Sequence, residues 1–172
     1  NLYRNLLNQV KISPETTALE VGCGRGGGSE LMLQYHPKSV TGIDFSKNVI
    51  KFCQNAYSDP RLNFVVGNAE RLPFEDNSFD VIVNDDVVYQ FDNSTITNIF
   101  HTFQTILKPD GIVITNNNAF NIFYGTHDIA VGGKQRFTLS DFEKNFSNLQ
   151  LKITHYTYWS MLLSPLILVV RL

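Results

Sequence analysis

The segment Glu20-Val21-Gly22-Cys23-Gly24-Arg25-Gly26-Gly27-Gly28 is the place where residue type and spacing first suggest chemistry. It follows the apolar run Ala18-Leu19-Glu20-Val21 and precedes a helical pattern. Glycines in such a strand–turn–helix setting let a ligand approach the backbone closely. Gly22, Gly24 and Gly27 also satisfy G-x-G-x-x-G, a pattern of dinucleotide sites. Asp44 ends the next apolar run, at the spacing where a carboxylate accepts hydrogen bonds from ribose hydroxyls. These features alone fit either a nicotinamide dinucleotide or S-adenosylmethionine. Glu20 bears on the choice, because a carboxylate two residues before Gly22 repels a pyrophosphate and attracts an ammonium and a sulfonium. The plain alternative is a salt-bridged acid at a strand end.

Groups able to move a proton come later in the chain. Asp85, Asp86 and Tyr89 follow the apolar run Val81-Ile82-Val83, at the carboxyl edge of the expected sheet. Asp86 is the first candidate for a base or acceptor-orienting group, and two solvated loop acids are the competing reading. His127 beside Asp128 is a candidate catalytic pair, or a loop pair without a role. His36, His101 and His155 read as surface or uninformative. Phe120, Phe123 and Tyr124 would line an acceptor pocket or face a cation, or else serve as core.

The elements that must position these residues alternate between short apolar runs and helical patterns, as in a parallel sheet with crossover helices. Strands are expected at Ala18–Val21, Val40–Asp44, Phe64–Val66, Val81–Val83 and Ile112–Ile114. Helices are expected over Ser29–Tyr35, after a Ser46 cap with Val49, Phe52, Cys53 and Ala56 on one face, and along Ile96, Ile99, Phe100, Phe103 and Leu107. Lys108-Pro109-Asp110-Gly111 reads as a turn. The pattern lapses from Asn116 to about Phe137. Ser140 with Glu143 reads as a capping box opening another helix. Leu149–Tyr158 is a candidate sixth strand and Leu166–Val170 a seventh, the latter in a Met161–Leu172 tail read as a core strand or truncated helix, with a lipid contact as the alternative. Leu2, Tyr3, Leu6 and Leu7 have helical spacing, fitting a lid or a packing helix.

On these residues the chain resembles the class I S-adenosylmethionine-dependent methyltransferases. Glu20, Gly22, Gly24 and Gly26 match their E-x-G-x-G-x-G turn, and Gly42-Ile43-Asp44-Phe45-Ser46 their acidic strand end. Gly67-Asn68-Ala69-Glu70-Arg71-Leu72-Pro73-Phe74 is similar to the family's G-D-A-E-x-L-P-F segment, and Ile106 to Gly111 to its late L-K-P-G-G turn. Within the family the likeness is to type 11 enzymes acting on small molecules and lipids. The resemblance implies a three-layer αβα sandwich, Rossmann-like, with a mostly parallel sheet of about seven strands, the last antiparallel. It implies S-adenosyl-L-methionine as cofactor and S-adenosyl-L-homocysteine as product. Glu20 and the glycines would face the cofactor's amino-acid part, Asp44 the ribose, and Phe45 the adenine plane. Asn68 and Ala69 would meet the adenine edge, and Asn84 would line the methyl side. Asn68 departs from the family's usual Asp, but an amide carbonyl also accepts a hydrogen bond. Tyr89 stands where relatives often carry a histidine, which removes any histidine-based mechanism there.

Composition narrows the classes further. At 172 residues, 43% apolar and 17% charged, the chain reads as one domain, 1–172, trimmed at one or both ends, since roughly 100–200 residues make a domain. A net charge of −2 without a Lys/Arg cluster argues against nucleic acid as partner. Cys23 and Cys53 form no metal-ligand pattern, so no metal is expected, and as free thiols they fit a cytoplasmic location. The only greasy stretch is far shorter than the ~20 residues of a membrane span. A small-molecule or lipid acceptor is therefore expected, and no feature sets the oligomeric state. The alternatives are a nicotinamide-dependent oxidoreductase and a non-catalytic cofactor-binding scaffold.

Overall fold

A computed structural model describes residues 2–158 and 165–171. Helix α1 (Leu2–Leu7) leads into β1 (Thr17–Val21), the glycine turn and α2 (Gly27–Met32). The helix expected to reach Tyr35 tightens instead to a 3₁₀ turn at Leu33–Tyr35, stopped by left-handed His36 (φ 55°) before Pro37. Then come β2 (Ser39–Asp44), α3 (Lys47–Ala56) and β3 (Leu62–Val66). The Ser46 side chain accepts from the Val49 N–H, so α3 starts where its capping residue predicts.

The second half holds β4 (Phe79–Asp85), α4 (Asn93–Ile106) and β5 (Leu107–Asn118). Asp92 caps α4 through the Thr95 N–H at 2.9 Å. The helix buries Ile96, Ile99, Phe100, Phe103 and Ile106, and Phe100 meets Phe142 and Phe146 edge-on or tilted. Lys108-Pro109-Asp110-Gly111 is not a separate turn but a bulge absorbed into β5. Pairing jumps from Phe79↔Leu107 to Val81↔Ile112, with Asp110 at φ 64°. Strand β5 also runs past the expected Ile114 to Asn118, shortening the irregular stretch. That stretch contains a 3₁₀ turn at Asn121–Phe123 and α5 (Thr126–Ala130).

Helix α6 (Leu139–Phe146) opens two residues earlier than the Ser140–Glu143 pattern predicts. Asp141 Oδ2 accepts from both the N–H and the hydroxyl of Thr138, so Thr138 and Asp141 mark the start. Strands β6 (Lys152–Tyr158) and β7 (Pro165–Arg171) close the chain. Residues 161–164 and 172 of the expected tail lie outside the described residues, and 165–171 are strand.

The seven strands run β3-β2-β1-β4-β5-β7-β6. All pairings from β3 to β5 are parallel, and β7 alone runs against its neighbours. Helices α1, α2 and α3 cover one face, over Ala18, Val81, Val83, Ile114 and Phe64. Helices α4 and α6 cover the other, over Leu19, Val21, Ile82 and Val113. The three-layer αβα sandwich is therefore as expected. Strand order reverses between β1 and β4, and in open α/β sheets ligands bind beyond the carboxyl ends at such a point.

Candidate active site

A cavity of about 160 Å³ lies at that switch point. Its walls include Gly22, Asp44, Phe45, Asn68, Ala69 and Asp86, six of the residues singled out from the sequence. Val87, Gln90 and Phe91 add an apolar and amide wall that the sequence did not flag.

The glycine turn is tied down by its backbone. The N–H groups of Gly22 and Cys23 donate to the Ile43 carbonyl at 2.8 and 3.0 Å. Asp44 Oδ2 accepts from the Gly24 N–H at 3.1 Å, and Oδ1 from the Ser46 N–H at 2.9 Å. One carboxylate thus links the turn to the start of α3 and still has lone pairs directed outward. Gly22 is left-handed (φ 75°), and a Cβ there would collide with Val87, so only glycine fits. Phe45 stands 78% exposed beside Asp44, a free aromatic face at the rim of the cavity.

Glu20 does not line the cavity; it lies beneath the turn, 4% exposed. Tyr3 donates to its Oε1 at 2.7 Å, and Ser29 to its Oε2. Burial pushes its carboxyl from 4.5 up to about 7 against those two donors, and Asp85 adds to the rise. Asp85 is itself raised by burial and held by the Asn116 amide at 2.7 Å. The Asn116 Oδ1 is buried without a donor. Among the described residues, Lys and Arg pair with Asp59, Asp80 and Asp128, not with Glu20 or Asp85. Acceptor oxygens without a cation are suited to a cationic ligand group.

Asn84 points to the opposite face of the sheet. Its Oδ1 accepts from Thr115, whose hydroxyl in turn accepts from Asn117, while Asn84 Nδ2 and Asn117 Oδ1 lack partners. Asp86 sits at the mouth of the cavity in the left-handed region (φ 53°), a costly conformation for a non-glycine residue. Loss of water against the wall, and then the charge of Asp85, raise its carboxyl to about 6. Asn68 is exposed at the rim, its Oδ1 accepting from the Glu70 N–H at 3.1 Å and its Nδ2 donating to Glu70 Oε1 at 3.5 Å.

Besides Glu20 and Asn84, four candidates do not line the cavity. Tyr89 is 7% exposed, its ring against Gly133 and its carbonyl accepting from Lys134 and Gln135. Gly24 and Gly26 shape the turn without lining the cavity. His127 is exposed, and Asp128 pairs not with it but with Arg136, through Nε at 2.9 Å and Nη2 at 3.1 Å. A guanidinium fork satisfies a carboxylate better than an adjacent imidazole, so the expected His127–Asp128 pair does not form. Ser29, Asn116 and Asn117 were missed as site residues, and Tyr3 was read only as part of a lid or packing helix, not as a partner of Glu20. The run Asn116-Asn117-Asn118, polar residues ending an apolar strand, was the available signal.

Residues 19–115 match a family model described as a methyltransferase domain of type 11. The chain belongs to that family of class I methyltransferases. It is 46% identical over 85 residues to a phthiotriol/phenolphthiotriol dimycocerosates methyltransferase of Mycobacterium leprae, covering 49% of this chain and 31% of that protein. It is 33% identical over 115 residues to a fatty-acid O-methyltransferase of Mycolicibacterium smegmatis, covering 64% and 39%. The chain thus spans about two fifths or less of these relatives. Among solved structures, a SAM-dependent methyltransferase from Methanosarcina mazei superposes with a TM-score of 0.80 at 19% identity, covering 96% of each chain. The [4+2]-cyclase SpnF superposes at 0.85 with 15% identity, covering 99% of this chain and 79% of that one. These two likenesses establish the fold.

Proposed function

We propose that the carboxyl edge of β1, β2 and β4 binds S-adenosyl-L-methionine and that the chain directs its methyl group to a small-molecule or lipid acceptor. The observation that carries this reading is the pair of buried Glu20 and half-buried Asp85 beneath a glycine turn, without a cation among the described residues, in a chain of this family. The residues fit the cofactor. Asp44 presents lone pairs for ribose hydroxyls, Phe45 an open ring for adenine, and Asn68 an exposed amide, held by Glu70, for the adenine edge. Glu20, Asp85 and Asn116 Oδ1 supply acceptors for the ammonium end. A dinucleotide would instead bring its pyrophosphate charge next to two acids, which disfavours the nicotinamide alternative.

When bound, the cofactor supplies an activated methyl on a sulfonium. Held by Asp44, Phe45, Asn68 and Glu20, it would supply that methyl to the acceptor and leave as S-adenosyl-L-homocysteine. The protein's part is to align the acceptor and exclude water. Asp86, ionised above about 6, is placed to orient the acceptor or take its proton.

A lipid acceptor is favoured by a second feature of the same edge. The carboxyl end of β6 and the segment after β5 carry Phe120, Ile122, Phe123, Tyr156 and Tyr158 around an open groove of about 710 Å³. The relatives named above act on lipids by name. Among the described residues no helix is long and apolar enough to cross a membrane. The free thiols Cys23 and Cys53 suit the reducing cytoplasm, where we place the activity.

The test is transfer of labelled methyl from the cofactor into fractionated cell extract, with Asp86→Asn alongside. Label in the organic or small-molecule fraction, reduced in the variant, is expected. Label in RNA or protein overturns the acceptor class, and no transfer despite cofactor binding favours the scaffold reading.

A further inference from the structure

Helix α1 lies apart from the cavity in sequence but reaches the acid beneath it. Leu6 and Leu7 are fully buried in the cluster with Ala18, Met32 and Val40. One turn earlier, Tyr3 delivers its hydroxyl to Glu20 Oε1 at 2.7 Å. Ser29 of α2 serves the other oxygen, so one buried carboxylate is held by neutral donors from two different helices. Gly28 is what makes the arrangement possible. A Cβ at that position would meet both Glu20 and the Tyr3 ring.

We infer that Tyr3 is a positioning residue: its hydroxyl holds Glu20 oriented toward the ammonium group of the ligand, so that the seating of α1 and the binding of the cofactor's amino-acid end are coupled. The inference rests on the cofactor reading above and adds to it a residue and an element that lie outside the matched segment 19–115.

The argument is one of hydrogen-bond capacity. An ionised carboxylate only accepts, and a phenol that keeps its proton donates to it. Burial and the neighbouring Glu20 push the Tyr3 hydroxyl well above its ordinary value, so it remains a donor at any working pH. The groups facing Glu20 are Tyr3 from α1, Ser29 from α2, Asp85 from β4 and Cys23 from the turn, and none is a cation. Of these, Tyr3 and Ser29 favour the ionised acid, whereas Asp85 opposes it. Removing the Tyr3 hydroxyl therefore moves the ionisation of Glu20 upward. Coupling between sites is reciprocal, so a ligand that needs the carboxylate also holds α1 in place.

The test compares Tyr3→Phe and Leu7→Ala with the unaltered chain, by calorimetric titration of S-adenosyl-L-methionine between pH 6 and 9. Tyr3→Phe is expected to weaken binding about tenfold at neutral pH, the scale of one hydrogen bond to a charged group. It also shifts upward the pH at which affinity falls, with affinity recovering toward that of the unaltered chain at pH 9. Leu7→Ala loosens the packing of α1 but keeps the hydroxyl, lowering the melting temperature and shifting that pH by less than Tyr3→Phe does. In the unaltered chain, saturating cofactor slows amide hydrogen exchange across residues 2–7. An unshifted pH midpoint in Tyr3→Phe, an equal shift in Leu7→Ala, or exchange indifferent to cofactor overturns the coupling. An unaltered chain that binds no cofactor overturns the functional reading itself, a separate result.

Discussion

The two ends of β4 carry aspartates that live in opposite environments. At its amino end, Asp80 accepts from Lys108 at 2.9 Å and from the N–H and hydroxyl of Thr17 at 2.7 Å each. Those donors lower its carboxyl below the usual range despite some burial. At the carboxyl end, Asp85 has one amide donor, and burial raises it. Its neighbours Asp86 and Glu20 are raised too, to about 6 and about 7. The lower edge satisfies its charge internally and ties β1, β4 and β5 together. The upper edge leaves its acids without a cation, and three asparagine side chains with unpaired atoms. These are the groups that the proposed ligand would complete.

That contrast is broken most severely by Asp44→Ala. It removes two charge-assisted acceptors from the upper edge, each about 1.5–3 kcal/mol. S-adenosyl-L-homocysteine affinity, measured by calorimetry, should fall about a hundredfold or more. Glu20→Gln should separate stability from function. The raised carboxyl means the folded state binds its proton more tightly than the unfolded one. Ligand-free stability from this group is thus fully present below about 4.5 and declines as pH rises to about 7. The amide keeps the volume and removes the charge. Thermal melts at pH 8 should show a gain of roughly 1–3 kcal/mol, with a flatter pH profile and weaker cofactor binding.

At the lower edge the signs reverse. Asp80→Asn should cost about 1 kcal/mol at neutral pH, since the pair with Lys108 is partly exposed. The native contribution is present above the ordinary carboxylate range and lost as pH falls through the lowered value. Cofactor affinity should not change. The smallest effect is expected from His127→Ala, which touches neither edge. Affinity within about twofold of the unaltered chain, by the same titration, is the prediction.

Much of this was legible in the sequence where local rules and the global fold agree. The glycine turn, the Ser46 cap and the alternation of apolar runs each announced their element. Of the cavity's residues, Gly22 and Asp44 followed from motif spacing, Asp86 from its place after a strand, and Phe45, Asn68 and Ala69 from the family resemblance. What stayed hidden depends on packing between distant segments. Nothing in Leu2-Tyr3-Arg4 indicates that Tyr3 reaches Glu20, and nothing near His127 indicates that Arg136 claims Asp128. The bulge at Lys108–Gly111 reads as a turn because proline and glycine mark both. Only strand pairing with β4 distinguishes them.

The central claim is that the upper edge is completed by an adenosyl ligand with a cationic amino-acid end. Its most direct test is the melting temperature of the unaltered chain at pH 8 with saturating S-adenosyl-L-homocysteine, with NADH in parallel. The account predicts a rise with the first, amounting to about 2.7 kcal/mol at a hundredfold excess over the dissociation constant, and none with the second. A melting temperature unmoved by S-adenosyl-L-homocysteine, or raised by NADH instead, would contradict it.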